Sequence, residues 1–106
     1  MFYKANNEGY RRLLPGIAIK TLVHGANTLC TEFRLEANTV LPKHAHIYEQ
    51  TGYLIEGRMR LNIGNHSFDV GPGDSWCIPG NIEHSAHTLE FSVAIEVFSP
   101  VREDYR

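Results

Sequence analysis

The sequence predicts a single all-β domain whose sheet closes into a small barrel. Three observations carry this: apolar residues recur with period two, glycine and proline punctuate the chain every several residues, and no segment of ten residues has helical periodicity. A sheet of this size must hide an apolar face. Closing it hides that face while leaving few unpaired edges, and the interior of such a barrel is wide enough for side chains or one small ligand.

The strands follow in order. Ile17 to Val23 is the first apolar segment, ended by a turn at His24, Gly25, Ala26 and Asn27. In Thr28 to Leu35 the residues Leu29, Thr31, Phe33 and Leu35 alternate with Cys30, Glu32 and Arg34, as in a half-buried strand. Thr39 to His46 makes a third strand and Gln50 to Glu56 a fourth, closed by Gly57. Arg58 to Ile63 alternates again and leads into a hairpin at Gly64, Asn65 and His66. Phe68 and Val70 precede Gly71, Pro72, Gly73 and Asp74, which break any regular element. Ser75 to Ile78, His84 to Thr88 and Phe91 to Phe98 complete the strands, before a polar tail from Arg102 to Arg106.

With 106 residues the chain holds one core, so residues 1–106 are read as one domain. Its 42% hydrophobic and 21% charged residues are those of an ordinary globular protein. A net charge of -2 with both signs scattered offers no basic patch, so no nucleic-acid partner is expected. No apolar run is long enough to span a bilayer, and Met1 to Tyr10 is polar where a secretory signal needs an apolar core. These features predict a cytoplasmic protein without a membrane partner. Cys30 and Cys77 belong to no paired motif and read as buried free thiols.

The chemistry concentrates in one place. His44 and His46 are two apart, so on one strand both imidazoles leave the same face, where two neutral ligands can share a transition-metal ion. Gln50 has the same parity if the ladder continues around the bend at Ile47 and Tyr48, and His84 comes from beyond the Pro79-Gly80 turn. The set is uncharged. It leaves the ion its full positive charge and favours an anionic substrate.

Two stretches resemble the motifs of the cupin superfamily. The first motif runs glycine, five residues, His-x-His, three or four residues, glutamate, six residues, glycine; here Asn38, His44, His46, Gln50 and Gly57 fall at those places. The second runs glycine, five residues, proline, one residue, glycine, two residues, histidine, and is matched by Gly73, Pro79, Asn81 and His84. Asparagine stands for glycine at 38 and 81, and asparagine is the non-glycine residue that best tolerates positive φ. The resemblance implies a jelly-roll barrel, one divalent ion (nickel, zinc, manganese or iron) on His44, His46, Gln50 and His84, and a homodimer that pairs through its first strand and leader.

HAHIYEQTGYLIEG at 44–57, VGPGDSWCIP at 70–79 and VFSPVREDY at 97–105 further resemble pectin-degradation proteins of the KdgF type. That resemblance implies conversion of a 4,5-unsaturated monouronate, a small anionic sugar, to its linear 5-keto-4-deoxy form. It places Glu96, Phe98 and Arg102 in the catalytic pocket, with glutamate where the family usually has aspartate. The last strand puts Ser92, Ala94, Glu96 and Phe98 on one face, so a carboxylate in an apolar strand is either surface or functional. Tyr53 and Arg60 are further candidates for substrate contact, against packing and a solvated face as the alternatives. A cupin dioxygenase, another small-molecule metalloenzyme and a non-catalytic sugar-binding module remain the competing functions.

Overall fold

The computed structural model describes all residues, 1–106. It contains ten strands: β1 (Arg11–Leu14), β2 (Ile17–His24), β3 (Leu29–Leu35), β4 (Val40–His44), β5 (Glu49–Glu56), β6 (Met59–Ile63), β7 (His66–Val70), β8 (Ser75–Ile78), β9 (His84–Thr88) and β10 (Ser92–Ser99). No helix is long and apolar enough to cross a membrane. A six-stranded sheet in the order β1-β2-β3-β10-β5-β8 and a four-stranded sheet in the order β4-β9-β6-β7 enclose the core.

The expected closed barrel is not formed. No ladder joins the two sheets, and β1, β8, β4 and β7 are free edges. Pro42 lies within β4 and Pro79 ends β8, so both strands lack an N–H where a continuing ladder would need a donor. The corner from β4 to β5 is tied to the loop between β8 and β9, where Asn81 N–H donates to His46 O at 2.7 Å. The architecture is therefore an open two-sheet sandwich.

Alternation along the strands fixes which residues face inward. Leu29, Thr31, Phe33 and Leu35 of β3 are buried, as are Ser92, Ala94, Glu96 and Phe98 of β10. β10 pairs with β3 on one side and β5 on the other, which carries Glu96 and Phe98 to the centre of the larger sheet. Asn38 (φ 59°) and Asn81 (φ 66°) are the non-glycine residues with positive φ, as expected where they replace motif glycines.

Both chain ends differ from expectation. β1 follows the polar leader and pairs with β2 through a Pro15-Gly16 turn in which Gly16 has φ 78°. The C-terminal residues expected as a polar tail form a 3-10 turn, Glu103–Tyr105, that returns Tyr105 to the core. Cys30 is half-buried and Cys77 exposed, both unpaired.

Candidate metal centre

The site lies between the sheets. β4 and β9 pair His44 directly with His84, and their ring centroids are 4.1 Å apart. His46 is beyond the end of β4, in the bend before β5, with its ring 4.9 Å from that of His84 and 5.7 Å from that of His44. One ligand atom from each of the three histidines lies within 4.8 Å of the others. The bend, rather than a continuous strand, thus brings His46 to its neighbours.

Each imidazole is oriented by its own backbone. Nδ1 meets a carbonyl oxygen in all three: Pro42 O at 2.8 Å for His44, Tyr48 O at 3.0 Å for His46 and Ile82 O at 2.8 Å for His84. A carbonyl only accepts, so Nδ1 carries the proton and Nε2 presents its lone pair inward. The Nε2 of His84 is buried without a hydrogen-bond partner. An orphaned buried lone pair facing two others fits a cation.

Gln50, on β5, brings the opposite sheet to the site. Its Oε1 stands 3.1 Å from His46 Nε2, and its Nε2 donates to Glu96 Oε2 at 2.8 Å. Two lone pairs facing each other repel unless a cation lies near both, so the amide oxygen also fits a metal ligand. Burial lowers the pKa of His46, with Arg102 adding to the effect, and burial lowers that of His84. Both shifts favour the neutral form that a metal requires.

Glu96 is buried beside this group, and loss of solvation raises its carboxyl from the ordinary 4.5 to about 8, with the Gln50 amide opposing the rise. His44, Gln50, His84, Glu96, Trp76 and Arg102 are among the residues around one cavity of about 50 Å³. Arg102 stacks on Tyr105, with 3.9 Å from its guanidinium carbon to the ring centroid, and its Nε donates to Asp104 at 2.9 Å. Phe98 is 1% exposed and packs edge-on against His46 at 5.9 Å and Tyr105 at 5.4 Å, so it forms the wall behind the histidines.

Tyr53 and Arg60 lie elsewhere. Tyr53 is three residues from Gln50 on β5, hence on the outer face, and is 49% exposed. Arg60 is exposed between the buried Met59 and Leu61 and bonds Asp69 at 3.2 Å. Trp76, expected in the core or against a partner subunit, and Tyr105, expected in a polar tail, also line the cavity. Parity on β8, where Ile78 is buried and Ser75 and Cys77 exposed, is the signal that placed Trp76 inward.

The cupin domain family model matches residues 31–96. Oxalate decarboxylase OxdC of Bacillus subtilis (strain 168) is 31% identical over 87 residues, 77% of this chain, and the chain spans only 22% of that protein's length. KdgF from Halomonas sp. is similar over the whole of both chains, with a TM-score of 0.94 and 26% identity. An RmlC-like cupin from Shewanella frigidimarina NCIMB 400 has a TM-score of 0.93 at 23% identity, covering 99% of this chain and 95% of its own; at that identity it shows the fold.

Proposed function

The chain belongs to the cupin domain family, and from that premise we propose that it is a metal-dependent enzyme converting 4,5-unsaturated monouronates to linear 5-keto-4-deoxyuronates. The observation that carries this reading is a buried carboxylate, Glu96, hydrogen-bonded to Gln50 in a cavity lined by His44 and His84, two of three converging histidines. The whole-chain similarity to KdgF supports the choice of substrate class.

His44, His46, His84 and Gln50 would hold the ion, which when bound supplies Lewis-acid polarisation of substrate oxygens. The neutral donors do not discriminate among nickel, zinc, manganese and iron. Opening the ring removes the proton of the anomeric hydroxyl and breaks the bond from C1 to the ring oxygen, leaving an aldehyde at C1 and an enolate at C5. The enolate becomes a ketone when C4 gains a proton. No electrons are exchanged, and substrate and product are isomers.

Glu96 takes the anomeric proton and returns one at C4, so it ends as it began. The Gln50 amide, donating at 2.8 Å, holds the carboxylate beside the residues that would bind the ion, where both proton transfers take place. Arg102 is held by Asp104 through Nε alone, and its terminal nitrogens are left to grip the uronate carboxylate. Phe98 keeps His46 in place and, with Tyr105, excludes water.

The reading is tested by the ultraviolet absorbance of a freshly released 4,5-unsaturated monouronate. The enol ether conjugated to its carboxylate absorbs and the linear ketone does not. Protein should speed the loss of signal, and a chelator should abolish that acceleration. Decay equal to the protein-free rate with a metal-loaded protein would remove the substrate assignment. The edge strand β1 and the exposed Met1, Phe2 and Tyr3 are the surface on which a second copy would pair; a monomer in sedimentation at working concentration would exclude that dimer.

A further inference from the structure

Trp76 is the chain's single tryptophan, and it has an unusual seat. β10 and β5 pair Glu96 with Gly52, and β5 and β8 pair Gly52 with Trp76. The three residues stand in one row across three strands, on the inner face. The middle one has no side chain. A Cβ at Gly52 would lie 2.2 Å from both Cε2 and Nε1 of the indole, so the ring occupies the space a side chain at 52 would fill. Gly52 is not among the glycines with positive φ, so what its position demands is room rather than an unusual backbone.

The indole thereby lies over the β5 backbone at Gly52, the residue paired with Glu96 on the next strand. Its Nε1 is buried and closes no hydrogen bond of normal geometry. Glu96 accepts from Gln50 through Oε2, and Oε1 is the oxygen left without a protein donor. A buried donor without a partner carries a desolvation cost that a carboxylate oxygen left without a protein donor could remove by accepting from it. With Leu61, the indole also forms the wall between the metal cavity and a second cleft of about 530 Å³ beside β7 and β8.

We propose that Trp76 is a positioning residue for Glu96, its indole N–H gripping the carboxylate from the side opposite Gln50, with Gly52 as the gap that admits the ring. Held between two donors, the carboxylate keeps one orientation while a substrate exchanges protons with it. This rests on the reading of Glu96 as the proton-transferring group, and the contact itself can be tested without any substrate.

In the zinc-loaded protein labelled with nitrogen-15, one tryptophan gives one indole cross-peak. That peak should lie downfield of a solvated indole, exchange slowly with water, and move in Glu96→Gln. In Gly52→Ala, where the added methyl displaces the ring while both polar partners remain, it should shift toward the solvated position. Trp76→Phe keeps the wall and loses the N–H, so kcat should fall roughly ten- to a hundredfold with KM and zinc content within about twofold. An indole peak at the solvated position that ignores Glu96→Gln overturns the proposal, as does an undiminished kcat in Trp76→Phe. If the wild type leaves the uronate untouched but the peak still responds to Glu96→Gln, the contact stands and the substrate assignment falls.

Discussion

Gln50 donates to Glu96 across 2.8 Å while its amide oxygen stands 3.1 Å from His46 Nε2, so one side chain links the carboxylate to the histidines. A glutamate at 50 would keep an oxygen for the metal and lose the donor. Two carboxylates at hydrogen-bond distance cannot both ionise, so one of them would hold a proton. Gln50→Glu is expected to retain metal through dialysis at least as well as the wild type and to lose about a hundredfold in turnover. Metal analysis beside the absorbance assay checks both; full activity would show that the amide donor is dispensable.

Glu96 makes the stability of the metal-free protein depend on pH in a defined direction. Burial raises its pKa from 4.5 to about 8, so the native state holds this proton more tightly than the unfolded chain does. Its stabilising contribution is fully present below about pH 4.5 and is lost as pH rises through about 8. Glu96→Gln abolishes that titration. Urea unfolding of both metal-free proteins at pH 6 and pH 9 should show the variant gaining a few kcal/mol relative to the wild type at the higher pH. A difference independent of pH would mean that the buried carboxyl titrates normally.

Where the candidate residues stand was legible because spacing and period fix their places. His44, His46, Gln50 and His84 sit at motif intervals, Asn38 and Asn81 take the positive φ of the glycines they replace, and alternation on β10 turns Glu96 inward. Closure was not legible, since it depends on whether edge strands meet, and prolines at 42 and 79 interrupt those edges. β1 carries no strand signal in the sequence, because its four residues, two of them arginine, show no alternating pattern. The row Glu96, Gly52, Trp76 depends on the register of three strands, which no single segment encodes.

Tyr53 and Arg60 test the parity argument from the opposite side. Both face outward, one at an odd spacing from Gln50 and the other between two buried residues. Tyr53→Ala and Arg60→Ala should leave kcat and KM for the monouronate within about twofold, since surface changes away from a site usually shift energies by roughly half a kcal/mol or less. Michaelis–Menten measurements on each variant decide it. A large rise in KM in either one would place the substrate on the outer face of its sheet.

Tyr105 joins the C-terminal turn to the core and to the site at once. Its ring lies edge-on to Phe98 at 5.4 Å and Phe33 at 6.3 Å, the Thr21 hydroxyl donates to its carbonyl, and Arg102 stacks on its face. Removing the ring would leave a cavity beneath Phe98 and take away the platform that holds the guanidinium. Tyr105→Ala should lower stability by about 3 to 5 kcal/mol in urea unfolding, and KM for the monouronate should rise as Arg102 loses its fixed position. No hydrogen bond engages the phenolic oxygen, so Tyr105→Phe should restore both stability and KM, because packing and stacking belong to the ring. If Tyr105→Phe failed as Tyr105→Ala does, the hydroxyl would be the functional group, and the stacking of Arg102 would not be what positions it.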